Sequence, residues 1–309
     1  MKKSIGSIFL AFVFLTILAS ACAPAPTPVL STSIPLPTDT PVNQTAALPT
    51  ALQPFDSERK LTVNGLERTY LLHIPPTLDR LHPAPVVFAF HGLDEEPSAM
   101  ASLTGFNDIA DQANFLVVYP AGVELSWNVG ECCGFAATNN VDEISFVRQI
   151  LSDLGTVASV DPKRIYATGL SNGAPLVYQL ACEMSDIFAS IAPVAGVLVY
   201  SPCQPQQPVS LIHVHGLADT TVPYAGGGGL DTPPVEQVIN TWAQLDGCAG
   251  SPHVDNPIKT IKHTVYAPCQ AGTAVELYAI ESGGHGWVAK SVWPASQVIW
   301  DFFAAHPKP

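Results

Sequence analysis

The sequence predicts an α/β protein built on one mostly parallel, doubly wound β-sheet with helices on both faces. Short, almost continuously apolar segments alternate with longer helical segments, which is typical of buried parallel strands joined by helices. No internal repeat and no second linker interrupts the chain after residue 56. Because strand–helix–strand connections are right-handed crossovers, a doubly wound sheet is the expected arrangement.

Local patterns predict the individual elements of one domain over 56–309. A hairpin is expected over 61–75, where Asn64-Gly65 separates two strand-like segments. Strands are predicted at 85–90, 115–119, 164–168, 191–195, 209–214 and 275–280. Helices are predicted at 105–113, 143–154, 175–183, 234–245 and 295–305.

Composition and charge exclude two classes of protein. Hydrophobic residues make up 47% of the chain and charged residues only 13%, which indicates a large core and excludes a wholly disordered chain. There are 26 acidic against 13 basic residues, and the formal net charge is −13. Such a surface repels the phosphate backbone, so no nucleic-acid partner is expected.

The first 55 residues predict an exported protein. Lys2 and Lys3 precede an apolar run and small residues, the pattern of a signal peptide over 1–21. The Leu-Ala-Ser-Ala-Cys segment that ends at Cys22 resembles a bacterial lipobox, so Cys22 is the candidate lipidation site; ordinary cleavage without lipid is the alternative. The Pro- and Thr-rich segment 22–55 predicts a disordered tether. We expect an extracellular or cell-surface domain whose only membrane contact is a lipid anchor.

A candidate nucleophile lies between a predicted strand and a predicted helix. Gly169-Leu-Ser171-Asn-Gly173 has the G-x-S-x-G pattern and directly follows the strand at 164–168. A turn this tight needs glycine two residues either side of the serine, and it lifts the hydroxyl clear of the backbone. Ser171 also lies at a helix N-terminus, where amides favour a developing negative charge.

A candidate acid and base follow the serine in the order expected for this architecture. Asp219 comes just after the strand at 209–214, and His285 comes on a glycine-rich loop after the strand at 275–280. Parallel strands end at the same edge of a sheet, so Ser171, Asp219 and His285 are predicted to meet there as a catalytic triad. The backbone N–H groups of Asn172 and Leu93 are the predicted oxyanion donors, and His91 is expected to shape the turn that carries Leu93.

Other residues offer weaker alternatives. His213 and His215 alternate on one strand, but no Cys or carboxylate joins them, so packing is favoured over a shared metal. Asp231 and Asp246 are alternative acids, although neither directly follows a strand end. We therefore expect neither a metal nor an organic cofactor.

These motifs resemble those of extracellular α/β-hydrolase esterases, grouped as polyhydroxybutyrate depolymerase-like and feruloyl esterase-like proteins of the carbohydrate esterase family 1 type. The resemblance covers about 60–305 and implies the α/β-hydrolase fold and a carboxylic ester substrate. It rests on Arg68-Thr-Tyr-Leu-Leu-His-Ile-Pro75, Phe90-His-Gly92, Val118-Tyr-Pro-Ala-Gly122, Ser126-Trp-Asn-Val-Gly130, Cys132-Cys-Gly134, Gly169-Leu-Ser-Asn-Gly173, His215-Gly-Leu-Ala-Asp219, Val222-Pro-Tyr224 and Gly283-Gly-His-Gly-Trp287.

The cysteines and aromatic residues supply further expectations. Without Cys22 an even number of cysteines remains, which in an exported domain predicts disulfides. The favoured pairs are Cys182–Cys203, Cys248–Cys269 and Cys132–Cys133, and other pairings stay open. Trp127, Trp287 and Tyr224 lie in motif loops and are predicted to contact substrate; packing of the two tryptophans within the loops is the alternative.

The sequence therefore predicts a secreted serine carboxylesterase acting on feruloyl, hydroxycinnamoyl or acetyl esters of plant polysaccharide. Hydrolysis of polyhydroxybutyrate or another polyester is the close alternative. A surface binding module on an inactive hydrolase fold is the alternative of a different class. A serine peptidase is a further one, because one fold hosts several chemistries.

Overall fold

A computed structural model describes residues 57–79, 81–130 and 132–309. All of these residues belong to one compact unit. The predicted signal peptide at 1–21, the candidate lipidation site Cys22 and the predicted tether over 22–55 lie outside the described residues. In the described part of the chain, no helix is long and apolar enough to cross a membrane.

Ten strands of the described chain form one sheet, in the order β1-β2-β4-β3-β5-β6-β7-β10-β9-β8. The strands are β1 (Ser57–Val63), β2 (Leu66–His73), β3 (Ala84–Phe90), β4 (Leu116–Pro120), β5 (Val160–Leu170), β6 (Ser190–Val194), β7 (Ser210–Gly216), β8 (His253–Ile258), β9 (Ile261–Tyr266) and β10 (Val275–Ile280). The run from β4 through β3, β5, β6 and β7 to β10 is parallel, and antiparallel strands flank it on both sides. The predicted mostly parallel sheet is confirmed.

Helices cover both faces of the sheet. They are α1 (Pro97–Thr104), α2 (Phe106–Ala113), α3 (Gly134–Thr138), α4 (Glu143–Leu154), α5 (Gly173–Glu183), α6 (Val235–Leu245) and α7 (Ala295–Ala305). Alternate residues of β3 point to opposite faces. Val86, Phe88 and Phe90 pack in a core with α4, α5 and α6. Val87 and Ala89 pack in a second core with α1, α2 and α7. The doubly wound arrangement follows from this two-sided burial.

The predicted elements are present, most with ends within two residues of the prediction. Strand β10 and helices α4 and α7 have the predicted bounds, whereas β5 begins at Val160, four residues earlier than expected. The predicted hairpin is β1 and β2, joined at Asn64-Gly65, where both residues have positive φ (51° and 83°). Helices α1 and α3 and the β8–β9 edge hairpin were not predicted.

Candidate active site

Ser171 lies on the turn between β5 and α5, at the carboxyl edge of the parallel strands. Its φ is +52°, in the left-handed region that few non-glycine residues adopt. A Cβ on Gly169 would lie 2.6 Å from the carbonyl carbon of Gly173. A Cβ on Gly173 would lie 2.5 Å from the carbonyl oxygen of Phe90. Both positions therefore need glycine, as the motif predicts.

The structure brings Ser171, His285 and Asp219 together in one hydrogen-bonded chain. The Ser171 Oγ is 2.8 Å from His285 Nε2, and His285 Nδ1 is 2.8 Å from Asp219 Oδ2. A carboxylate only accepts, so Nδ1 carries the proton and Nε2 accepts from the serine hydroxyl. A histidine in this tautomer can take the hydroxyl proton when the serine attacks an electrophile.

Backbone contacts hold the loops that carry the acid and the histidine. The N–H groups of Thr221 and Val222 donate to Asp219 Oδ1 at 2.8 and 2.9 Å. The Asp219 side chain is fully buried, while that of His285 is 23% exposed. The N–H of Ala218 donates to Gly283 O at 2.9 Å, which joins the two loops directly. The carboxylate is thus held by buried backbone donors, and the imidazole is the more exposed of the two side chains.

The loop after β3 lies beside Ser171. A Cβ on Gly92 would be 3.5 Å from Ser171 Cβ. The Gly92 carbonyl accepts from His91 Nδ1 at 2.7 Å, and His91 Nε2 accepts from the Gly122 N–H at 3.0 Å. Because Nε2 accepts a hydrogen bond, the ring is neutral, and burial lowers the His91 pKa accordingly. Since N–H and C=O point in opposite directions across a trans peptide, the fixed Gly92 carbonyl also fixes the Leu93 N–H.

The two predicted oxyanion donors lie on these two turns. Among hydrogen bonds between described residues, none uses the backbone N–H of Leu93 or Asn172. The side chain of Asn172 is engaged, because its Oδ1 accepts from the Trp127 N–H at 2.8 Å and its Nδ2 donates to Trp127 O at 3.3 Å. Within the described part of the chain both amides are therefore unpaired, as an oxyanion donor must be.

A cavity of about 650 Å³ opens at Ser171 and is walled mostly by apolar groups. The wall residues are Leu93, Cys132, Cys133, Pro175, Gly196, Val197, Val199, Thr221, Val222, Gly229, Leu230, Asp231 and Thr232, with Ser171 and Asn172. Most of these lie on loops and were not singled out from the sequence.

The three aromatic residues predicted to contact substrate do not line this cavity. Trp127 is fully buried, donates from Nε1 to His91 O at 2.9 Å and packs edge-on against Phe90, so its prediction was wrong. Trp287 is 9% exposed and donates to the Ser296 hydroxyl. Tyr224 packs edge-on against His215, and its hydroxyl donates to Glu236. Trp287 also lines a separate cleft of about 220 Å³, together with His285. Packing within the loop, the stated alternative, therefore holds for Trp127, whereas the substrate contacts of Trp287 and Tyr224 stay predictions.

The alternative acids and metal ligands have other surroundings. His285 contacts Asp219, while Asp231 lies in the cavity wall and Asp246 is buried near the start of β7, where the Val209 N–H donates to its Oδ1 at 3.1 Å. Burial raises the pKa of Asp246 to about 7. Hydrogen bonds engage all four ring nitrogens of His213 and His215.

Three disulfides are present among the described cysteines: Cys132–Cys133, Cys182–Cys203 and Cys248–Cys269. The Cys182–Cys203 pair links the end of α5 to the segment after β6, and Cys248–Cys269 links the segments after α6 and β9. The vicinal pair lies in the cavity wall.

Comparison with known proteins reveals similarity to esterases. Residues 68–215 match the family model described as "Esterase PHB depolymerase". The chain is 28% identical over 218 residues to feruloyl esterase B of Piromyces equi, an alignment that covers 65% of this chain and 39% of that protein. It is 27% identical over 221 residues to the bifunctional acetylxylan esterase/xylanase XynS20E of Neocallimastix patriciarum, covering 71% of this chain and 31% of that protein. The chain spans well under half the length of either relative.

A solved structure shares the fold. The acetyl xylan esterase from Aspergillus awamori aligns with a TM-score of 0.59 at 16% identity, covering 81% of this chain and 99% of that one. The α/β-hydrolase fold predicted from the motifs is confirmed. The resemblance to polyhydroxybutyrate depolymerase-like and feruloyl esterase-like proteins is confirmed as well.

Proposed function

We propose that this chain, whose residues 68–215 match the polyhydroxybutyrate depolymerase type of esterase, is a serine carboxylic ester hydrolase. The observation that carries the proposal is the continuous hydrogen-bonded chain from Ser171 through His285 to Asp219. Two unengaged backbone amides lie beside the serine, and a cavity opens there. Nucleophile, base, orienting acid and oxyanion donors are the parts that acyl transfer needs.

In the proposed reaction, Ser171 Oγ attacks the ester carbonyl while His285 Nε2 takes its proton. The N–H groups of Asn172 and Leu93 donate to the oxyanion of the tetrahedral intermediate. His285 then gives the proton to the leaving alcohol, and an acyl-enzyme forms on Ser171. Water, deprotonated by His285, attacks the acyl-enzyme; His285 then returns this proton to Ser171 Oγ as the bond to the acyl group breaks and the carboxylic acid leaves. Asp219 keeps the imidazole in its tautomer and stabilises the imidazolium.

The substrate we propose first is a feruloyl, hydroxycinnamoyl or acetyl ester of plant polysaccharide. The names of the relatives support this choice, since one is a feruloyl esterase and the other includes an acetylxylan esterase. The cavity volume of about 650 Å³ falls within the range of roughly 300–1,000 Å³ usual for small-molecule sites. Its apolar wall suits an apolar acyl group.

A polyester is the second candidate substrate. The description of the matching family model favours it. Polyhydroxybutyrate and the polysaccharide esters demand the same acyl-transfer chemistry at Ser171, so the two candidates differ only in what binds around it.

We also propose that the enzyme works outside the cell, held by a lipid on Cys22 after removal of residues 1–21. The N-terminal sequence pattern supports export. The three disulfides support an oxidising compartment, because such bonds are rare in the cytosol. Metabolic labelling with a radioactive fatty acid, compared between wild type and Cys22→Ala, tests the anchor directly.

One experiment tests the proposed activity. Methyl ferulate, acetylated xylan, short nitrophenyl esters and polyhydroxybutyrate film are assayed side by side with wild type and Ser171→Ala. We expect ester hydrolysis by wild type and a loss of at least about 10⁴-fold in kcat for Ser171→Ala, because the nucleophile is gone. Full activity of the variant would overturn the assignment.

Labelling separates the esterase from a binding module on an inactive hydrolase fold. A fluorophosphonate should label wild type at Ser171 and leave Ser171→Ala unlabelled. Absence of labelling, together with no hydrolysis of any ester in the panel, would favour the binding module.

A further inference from the structure

A row of three buried polar side chains lies behind the acid loop. Tyr178 comes from α5, and His213 and His215 come from β7. Tyr178 and His213 are fully buried and His215 is 1% exposed. None of the three lines the cavity at Ser171, so they do not contact a substrate bound there.

The hydrogen bonds of the row run in one direction. His215 Nε2 is 2.8 Å from the carbonyl oxygen of Val222, which can only accept, so Nε2 carries the proton. In a neutral ring His215 Nδ1 must then accept, and His213 Nε2 donates to it at 3.1 Å. His213 Nδ1 in turn accepts from the Tyr178 hydroxyl at 2.9 Å. Every proton of the row therefore has a fixed place.

The surroundings keep both rings neutral. Burial lowers the His215 pKa, and it lowers that of His213 well below the usual value. The charged groups facing the row are Asp219, whose Oδ2 lies 3.5 Å from His215 Nε2, and His285 when protonated. The rings are stacked in parallel, and Tyr224 packs edge-on against His215.

The last hydrogen bond of the row ends on the segment that holds the carboxylate. Val222 accepts from His215 through its carbonyl and donates its own N–H to Asp219 Oδ1 at 2.9 Å. The Thr221 N–H donates to the same oxygen at 2.8 Å. Asp219 Oδ2 is left for His285 Nδ1. A shift of Val222 would thus change which oxygen faces the imidazole.

We propose that Tyr178, His213 and His215 form a positioning row that holds the 219–222 turn and so directs Asp219 Oδ2 at His285. The row acts through Asp219, so this inference rests on the proposed function. Its members are positioning residues, since none touches the reacting atoms.

The test compares two substitutions of similar size, His215→Met and His215→Gln. Met has no donor for Val222 O, whereas the Gln amide N–H can replace the Nε2–H. We expect His215→Met to lower kcat on a nitrophenyl ester by about 10- to 100-fold, the cost of one lost buried hydrogen bond. His215→Gln should recover kcat to within about threefold of wild type. The downfield proton resonance of His285 Nδ1–H should move in the Met variant and return in the Gln variant.

Three results would overturn the inference. One is a His215→Met protein with wild-type kcat and an unmoved resonance. Another is a Gln variant as impaired as the Met variant. The third applies if His215→Met does not fold: it is a Tyr178→Phe protein with unchanged kcat and an unmoved resonance. We expect Tyr178→Phe to lower kcat about threefold.

Two controls complete the design. Tyr166→Phe is the match for Tyr178→Phe, because Tyr166 is equally buried and its hydroxyl has no hydrogen-bond partner among the described residues. It should leave kcat unchanged. If wild type itself hydrolyses no ester and takes up no fluorophosphonate, the proposed function fails. The positioning row is then tested by the His285 Nδ1–H resonance alone.

Discussion

The catalytic edge and the wall of its cavity are held in different ways. On the edge, Ser171, His285 and Asp219 each have hydrogen-bonded partners, and the acid is fully buried. In the wall, Val199 is 39% and Leu230 is 53% exposed. Both wall residues lie on loops outside any helix or strand.

Under the proposed function, the edge therefore determines the rate of the chemical step, and the wall determines which substrate binds. Hydrogen bonds and close backbone contacts leave the reacting groups one arrangement, so changes there should alter the rate of the chemical step. Exposed apolar side chains make few obligatory contacts, so changes there should alter binding and little else.

The largest effect should come from Asp219→Asn at the edge. An amide cannot hold His285 in the tautomer whose Nε2 accepts from Ser171, so kcat should fall by up to about 10⁴-fold with KM little changed. Steady-state kinetics on a nitrophenyl ester checks this. The matched control is Asp231→Asn in the cavity wall, where Asp231 is one of the lining residues. Equal losses in the two variants would erase the distinction between edge and wall.

An intermediate effect on stability should come from Asp246, which lies near the other end of β7. It is fully buried, and its Oδ2 has no hydrogen-bond partner among the described residues. Its pKa is raised to about 7, so the folded state holds this proton more tightly than the unfolded state. The free energy of unfolding should therefore fall as pH rises from about 4 to about 7, by about 2–4 kcal/mol.

Asp246→Asn should remove this pH dependence. In thermal unfolding, the melting temperature of the variant should rise relative to that of wild type as pH rises from 4.5 to 8. The kcat of the variant should equal that of wild type. The exposed Asp301→Asn serves as the matched control and should follow wild type at every pH. If the melting temperature of the variant does not rise relative to wild type between these pH values, Asp246 stays ionised in the folded protein.

The smallest effect should come from Leu230→Ser in the wall. We expect KM for an apolar ester to rise about three- to tenfold, since burial of part of one leucine is lost on binding. The kcat and the melting temperature should stay near wild type. Leu66→Ser is a matched control, because Leu66 is similarly exposed, at 48%, and does not line the cavity. A drop in kcat without a rise in KM would show that Leu230 affects the chemical step, as the edge residues do, and not binding.

The sequence allowed the parallel core to be predicted because its strands carry a strong signal. Every residue of β3, β4, β6 and β7 is buried, and these segments are correspondingly rich in apolar residues. The β8–β9 hairpin escaped prediction because every residue of β8 is exposed, and the segment His253–Ile258 shows no apolar alternation. Pairing with the sheet edge, which is a tertiary effect, determines that strand.

The site divides in the same way. Ser171, Asp219 and His285 could be placed together because each lies on the turn or loop that follows a parallel strand, and such strands end at a common edge. The wall could not be predicted, since its residues come from several loops that no periodic pattern connects. Trp127 was misjudged because a motif position shows that a residue matters without showing which way its ring faces. Its burial against Phe90 and His91 depends on packing.

The left-handed backbone at Ser171 also limits which nucleophiles this fold can carry. A β-branched side chain at φ near +52° crowds its own backbone. Threonine, although its hydroxyl is the closest chemical relative of the serine hydroxyl, is therefore the poorer replacement. Cysteine, which is unbranched, fits the same backbone. Backbone conformation, as well as reactivity, thus limits which nucleophile this turn can carry.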